Sequence, residues 1–97
     1  MSSYIKGANA EREFKQILEN RGYWVYKPNR SRYHDNDLWN TWDMAGINQK
    51  ELVLVQVKCN QVRDTRKQLR EFPSIPNIRK ILAIRIDRKG WIEEEIE

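Results

Sequence analysis

The stretch Asp43–Cys59, which reads DMAGINQKELVLVQVKC, predicts a β-hairpin whose second strand ends in polar side chains. Residues 48–50 (NQK) supply a turn between the two apolar segments. Side chains alternate between the faces of a strand, so three valines share one face and Leu54, Gln56 and Lys58 share the other. A face that begins apolar and finishes with an amide and an amine indicates a functional site at the end of this strand.

The length and composition favour one small, basic domain. Ninety-seven residues predict a single domain, 1–97, with one modest core. Apolar residues make up 39% of the chain and charged residues 33%, with 18 basic side chains against 14 acidic ones and a net charge of +4. This balance favours a polyanionic partner. The basic excess lies mainly in residues 60–89, whereas residues 93–97 are acidic.

The single cysteine and the hydropathy pattern bear on the compartment. Cys59 has no second cysteine with which to pair, which is typical of a reducing compartment. It reads as a small buried thiol, the alternative being a reactive thiol beside Lys58. No apolar run approaches the roughly 20 residues of a membrane span. We therefore expect a soluble, intracellular protein (cytoplasm or nucleoid) that does not engage a membrane.

Periodicity predicts the element order α-β-β-β-α-β-β. In the first helix, residues 6–20, apolar side chains recur at helical spacing, and Gly22 supplies a C-terminal cap. Strands are expected at 23–27, 43–47, 52–58, 80–86 and in the final segment, with a second helix at 65–72. Residues 28–42 read as a loop of up to 15 residues, a length that favours a functional role. The predicted fold is a mixed β-sheet flanked by helices.

Three polar features converge on this fold. Glu11 lies about 20° from Leu18 on a helical wheel of 100° per residue, at the edge of the apolar stripe. Asp43 begins the hairpin, and Gln56 and Lys58 close it. If the two strands pair, Asp43 and the polar pair lie at the same edge of the sheet.

These residues resemble the PD-(D/E)XK nuclease superfamily, and within it the archaeal Holliday-junction resolvases. The segment KGANAERE (Lys6–Glu13) is similar to their N-terminal helix motif, with a functional glutamate and arginine at Glu11 and Arg12. A basic residue of these resolvases falls on Lys27, and their metal-binding aspartate falls on Asp43. The (D/E)-X-K pair falls on Gln56 and Lys58, and the likeness covers about residues 6 to 60.

The resemblance implies a restriction-endonuclease-like α/β fold and a Mg²⁺-dependent endodeoxyribonuclease, with Mn²⁺ as a substitute. Branched or otherwise structured DNA is the implied substrate, and a homodimer is implied because two sites must cut two strands. The catalytic candidates are Glu11, Asp43, Gln56 and Lys58. The metal ligands would be Asp43, Gln56, the carbonyl of Val57, and Glu11, since Mg²⁺ prefers oxygen donors. The candidates for nucleic-acid binding are Arg12, Lys27, Arg30, Arg32, Arg66 and Lys67.

The chain departs from the resolvase pattern at two places. The loop before Asp43 is longer, and Gln56 replaces the usual second carboxylate, as in restriction endonucleases of the methylation-dependent type. The substitution keeps open an alternative: a nuclease-fold DNA-binding module without catalysis. A third hypothesis is an accessory protein whose basic patch binds an acidic protein.

Side chains of the long loop allow two interpretations. Tyr33, Trp39 and Trp42 alternate with arginines, which suits contacts with the nucleic-acid backbone or unpaired bases. They equally suit a lid over the core. His34 is a poor zinc candidate because no cysteine or second histidine lies near it.

Overall fold

The computed structural model describes residues 3–28, 38–39, 41–60 and 65–97, with side chains from Gly7 onward. The observed element order matches the predicted one. Among these residues, no helix is both long and apolar enough to cross a membrane. The elements are α1 (Ser3–Asn20), β1 (Trp24–Tyr26), β2 (Met44–Ile47), β3 (Leu52–Cys59), α2 (Thr65–Glu71), β4 (Ile78–Ile86) and β5 (Gly90–Ile96).

The five strands form one mixed sheet in the order β1-β2-β3-β4-β5. Strands β3 and β4 are parallel, and the other neighbouring pairs are antiparallel. A parallel pair requires a crossover, and α2 lies within the one that joins β3 to β4. The prediction of a mixed α/β sheet flanked by helices is confirmed.

The predicted alternation along β3 divides the core into two clusters. Its valines pack with Phe14 and Leu18 of α1 on one face of the sheet. Leu54, on the opposite face, packs in a cluster with Trp42 and with Leu69 of α2. Gln56 and Lys58 share the alternation of Leu54, so they belong to the face that α2 covers in part.

Local sequence signals account for the turn that precedes β1 and for the turn that follows β2. Gly22, at φ 96°, ends α1 with its N–H on the Glu19 carbonyl, and the Tyr23 N–H reaches the Leu18 carbonyl. This is the Schellman motif, which glycine stabilises because it has no Cβ. In the β2–β3 turn, the Asn48 side-chain oxygen accepts hydrogen bonds from the N–H groups of Lys50 and Glu51.

A buried lysine fixes the end of α2. Lys80, on β4, is only 2% exposed, and its ammonium donates to the carbonyls of Leu69 and Phe72 at 3.1 and 3.0 Å. A cation at a helix C-terminus satisfies carbonyls that have no partner within the helix. This lysine had been predicted only as part of a strand.

The acidic C-terminal strand forms ion pairs with arginines from other parts of the chain. Arg21 forms a two-point ion pair with Glu93, and Arg66 forms another with Glu94. These hydrogen bonds lower the pKa of both carboxyl groups and raise the pKa of both guanidinium groups. The charge asymmetry of the sequence therefore becomes a set of pairs across the fold.

Arg79 links two acidic residues at the centre of a second network. It contacts Glu95 at 2.8 Å and Glu51 at 2.9 Å. The Tyr23 hydroxyl donates to the same Glu51 oxygen at 2.5 Å. The hydrogen bond from Tyr23, followed by that from Arg79, lowers the pKa of Glu51 below its ordinary value of 4.5.

The Glu51 network predicts a loss of stability in acid. A carboxyl group whose folded pKa is depressed stabilises the fold above its unfolded pKa, and that stability is lost as pH falls through the folded pKa. Between pH 7 and pH 3, the parent protein should lose more unfolding free energy than Glu51→Gln, by about 1 kcal/mol. Urea denaturation at both pH values measures this. Glu19→Gln, which replaces an exposed carboxylate, is the control and should lose as much unfolding free energy as the parent over this pH range. An equal loss in Glu51→Gln would show that the network does not contribute to stability.

Candidate active site

The Asp43 side chain replaces a backbone partner at the point where β2 and β3 part. Met44 pairs with Val55 in the antiparallel register, and the Asp43 N–H donates to the carbonyl of that same Val55. Beyond this point the Val57 N–H donates to Asp43 Oδ2 at 2.7 Å. Asp43 is 3% exposed. The buried Asp43 carboxylate therefore accepts the hydrogen bond that a backbone carbonyl of β2 would accept in a regular ladder.

The geometry of β3 places a carbonyl beside this carboxylate. In an antiparallel pair, the N–H and C=O of one residue point to the same side of the strand. The Val57 N–H points to Asp43, so the Val57 carbonyl also faces the side on which Asp43 lies. Gln56 and Lys58, both half-buried, flank Val57 and project from the α2 face of the sheet.

Glu11 is held by a lysine from another element. It lies on α1, is 4% exposed, and has an oxygen 3.8 Å from the ammonium of Lys27, the residue that follows β1. Sequence analysis selected both residues but did not predict the pair. A buried carboxylate needs a compensating charge, and Lys27 supplies one. The placement of Glu11 at the core boundary is confirmed.

The donor chemistry of this region fits a hard divalent cation. Asp43 offers a carboxylate, Val57 a carbonyl and Gln56 an amide oxygen, all oxygen donors of the kind that Mg²⁺ binds. Among the described residues, no group of three or more His, Cys, Asp or Glu side chains is suited to a metal. Among the described residues, a metal site here would therefore combine carboxylates with neutral oxygens.

The predicted nucleic-acid contacts differ in how accessible they are. Arg12 and Lys67 are exposed, whereas Arg66 is held by Glu94. Lys27 is largely buried against Glu11. Arg30 and Arg32 lie outside the described residues, as do Tyr33 and His34.

The structure places Trp42, which the sequence left open between two interpretations, and also Trp91. Trp42 is fully buried and packs edge-on against Phe72, which assigns it to the core. Trp91 packs against Phe14 and donates to Glu13 at 2.7 Å, so its ring serves the fold of its own chain.

Sequence analysis missed a residue that fixes the end of β3. Asn60, two residues after Lys58, adopts the left-handed conformation at φ 61°. Its N–H donates to the Arg85 carbonyl, its amide donates to Asp87, and it accepts the Asp87 N–H. An asparagine directly after a strand is the available signal, since asparagine tolerates this conformation and bonds to nearby backbone.

The mixed five-stranded sheet and its flanking helices form an α/β fold that matches the fold of a solved nuclease. A solved structure with this fold is that of Hjc, a Holliday junction resolvase from the archaeal hyperthermophile Archaeoglobus fulgidus. It is similar to this chain with a TM-score of 0.69 and 18% identity, over 94% of this chain and 73% of that one. No family model matches the sequence.

Asp43→Ala should destabilise the protein, whereas Asp43→Asn should largely preserve it. Alanine leaves the buried Val57 N–H without an acceptor, at a cost of about 1–3 kcal/mol. Asparagine retains an oxygen that can accept this hydrogen bond. Urea denaturation of the three proteins tests the difference, and equal losses in the two variants would show that the hydrogen bond is not what matters at this position.

Proposed function

We propose that this chain is a metal-dependent DNA endonuclease of the PD-(D/E)XK type that hydrolyses phosphodiester bonds in branched or structured DNA inside the cell. The observation that carries the proposal is the buried Asp43 carboxylate, fixed by Val57 beside the Gln56–Lys58 pair. The fold likeness to a Holliday junction resolvase supports the same class of substrate. Among structured DNAs, we propose Holliday junctions as the foremost candidate substrate.

The oxygen donors of Asp43, Gln56 and Val57 would hold Mg²⁺, or Mn²⁺ in its place, with Glu11 as a further ligand or as a partner of bound water. When bound, the cation supplies charge neutralisation at the phosphate and lowers the pKa of a coordinated water. Asp43 contributes the anionic ligand, and its hydrogen bond to Val57 fixes the direction of the carboxylate before any ligand arrives.

Lys58 and the cations around it would act on the substrate. Lys58 either orients and deprotonates the attacking water or holds the scissile phosphate. Arg12 and Lys67, both exposed, suit contacts with flanking phosphates. Lys27 positions Glu11 through their ion pair and is a further candidate for a phosphate contact. Arg30, Arg32 and Arg66 complete the proposed contacts, Arg66 after exchange from Glu94.

We also propose that the active form is a homodimer. Two strands must be cut to resolve a junction, and each chain carries one proposed site. The exposed Ile75 (55%) offers apolar surface for an interface. Sedimentation at micromolar concentration tests the assembly.

A second candidate is a DNA-binding module that retains the fold without cleavage. The neutral Gln56 and the lack of a three-residue metal cluster among the described residues favour it. A metal-dependent nick in any DNA separates the two candidates, because only the first requires one. A basic surface that binds an acidic protein, the third hypothesis from the sequence, predicts no DNA binding at all.

Asp43→Asn should abolish cleavage and leave DNA binding near that of the parent. The assay incubates the protein with a four-way junction, a duplex and a single strand in Mg²⁺, Mn²⁺ or EDTA. Cleavage should fall by at least about a hundredfold, beyond what outer-shell partners of a metal typically contribute. Glu19→Gln removes a negative charge from an exposed site and serves as the charge-matched control. Full activity in Asp43→Asn would refute the site.

Gln56 variants should shift the dependence on Mg²⁺. An amide oxygen brings no charge, so Gln56→Glu should bind the cation more tightly and reach its maximal rate at lower Mg²⁺. Gln56→Leu has neither a ligand nor a hydrogen-bonding group and should lose most activity. Titration of the cleavage rate against Mg²⁺ distinguishes the three proteins. Superimposable curves would remove Gln56 from the site, and activity that appears only in Gln56→Glu would favour the binding module.

A further inference from the structure

Two aromatic side chains stand exposed on one face of strand β1. Trp24 is 82% exposed and Tyr26 62%, and both project from the same face because they are two residues apart. The intervening Val25 points into the core with α1. Rings of this size normally contribute to a core or an interface, so their exposure on a regular strand marks a binding surface.

The strand register shows where this aromatic surface lies relative to the proposed active site. Tyr26 pairs with Ala45, which pairs with Leu54, so these three side chains form one row across the sheet. Gln56 follows Leu54 on the same face of β3. Two residues of strand span about 7 Å, which puts the Tyr26 row about 7 Å from the Gln56 row and the Trp24 row about 13 Å from it.

The surroundings of Trp24 are those of a pocket for a planar, polar ligand. A concavity of about 550 Å³ is lined by Gly22, Trp24, Ile47, Asn48, Gln49 and Lys50. It combines one aromatic face with the exposed Gln49 and Lys50 and with the amide nitrogen of Asn48, whose oxygen is engaged in the β2–β3 turn. Amides can bond the edge of a base, and an ammonium suits the adjacent phosphate.

A second concavity continues the surface from Tyr26. It holds about 570 Å³, and its lining is almost entirely apolar. Trp39, 70% exposed, and Phe72 form part of its wall, with their ring centroids 5.5 Å apart. Both concavities lie on the α2 face of the sheet, the first beside Trp24 and the second beside Tyr26.

We propose that this aromatic face, built on Trp24 and Tyr26, binds the unpaired bases of single-stranded nucleic acid by stacking. Trp24 and Tyr26 lie about 7 Å apart along the strand, about twice the 3.4 Å spacing of bases along one strand of a duplex. They can therefore engage two bases only where the strand is unpaired and its bases are unstacked. The net charge of +4 and the neighbouring Lys50 suit a polyanion.

The inference deepens the proposed function, with which it shares the premise of a nucleic-acid ligand, but it does not require cleavage. A junction or flap with unpaired bases would be held by this face while its backbone lies at Asp43 and Lys58. The substrate class narrows accordingly to DNA with unpaired nucleotides next to a paired arm.

The test measures binding of a fluorescent oligothymidylate of about ten nucleotides, within the site sizes of single-strand binding folds. Binding is measured in EDTA, so that metal and cleavage play no part. Trp24→Ala should weaken it by about five- to a hundredfold, the effect expected of one base stacked on an aromatic ring. Trp24→Phe retains a π-face and should stay within a few fold of the parent. Trp24→Leu retains apolar area without a π-face and should resemble Trp24→Ala.

Ile92→Ala is the matched control, since it trims an exposed apolar side chain on strand β5, at the far edge of the sheet. It should bind oligothymidylate as the parent does. Equal binding by the parent and Trp24→Ala would overturn the proposal, and so would equal binding by Trp24→Phe and Trp24→Leu. If sedimentation shows a parent dimer that becomes monomeric in Trp24→Ala, the face joins two copies and the proposal is also overturned.

The binding assay and the cleavage assay test the aromatic face and the proposed nuclease activity separately. A parent that cuts a four-way junction but binds oligothymidylate independently of Trp24 leaves the nuclease standing and removes the aromatic face. A parent that never cuts, yet binds oligothymidylate through Trp24, supports the aromatic face and removes the nuclease.

Discussion

The hydrogen bond between the Val57 N–H and the Asp43 carboxylate decides how the centre of this sheet opens. Up to Met44, β2 and β3 are joined by a regular antiparallel ladder. At Asp43 the backbone leaves that ladder, and the side chain satisfies the donor that the backbone no longer reaches. A buried N–H without a partner would cost about as much as a whole hydrogen bond contributes to stability. The carboxylate therefore permits the strands to part without leaving a buried N–H unsatisfied. The same hydrogen bond fixes the carboxylate at the opening.

The rest of the fold keeps β3 in place beneath that opening. On one side, α1 packs Phe14 and Leu18 against the valines of β3. On the other, the short α2 covers part of the sheet and is held at its C-terminal end by Lys80. Because α2 has only seven residues, it covers only part of this face, and Trp24 and Tyr26 at the β1 edge are exposed. The strand register places the exposed rings of β1 on the face of the sheet from which Gln56 and Lys58 project.

The sequence predicted the elements well because each had a local signal. Apolar spacing marked α1, Gly22 marked its end, and the alternation along β3 assigned its faces. The candidates Glu11 and Asp43 followed from their positions relative to those elements and from a family resemblance. The structure places both at the core boundary, and their catalytic roles stay predictions.

What the sequence did not predict depends on contacts between distant residues. Arg66 belongs to a basic run, but its ion pair with Glu94 joins residues that are 28 apart. Lys80 reads as one more cation until the fold places it beneath α2. Trp24 is exposed because β1 is an edge strand of the sheet and because α2 is too short to cover it. Composition therefore indicated a basic protein, whereas only the fold shows which cations are already engaged.

The charge of the proposed site constrains how it can work. Asp43 and Glu11 bring two negative charges, and Lys27 and Lys58 bring two positive ones, so the four side chains sum to zero with the neutral Gln56 beside them. A site without net negative charge holds a divalent cation weakly by itself. A DNA phosphate supplies the missing charge, and the cation in turn reduces the repulsion between that phosphate and Asp43. Linkage makes this coupling reciprocal, because whatever factor the DNA adds to the affinity for the metal, the metal adds to the affinity for DNA. In the proposed enzyme, replacement of a carboxylate by Gln56 thus makes metal binding depend on the arrival of the substrate.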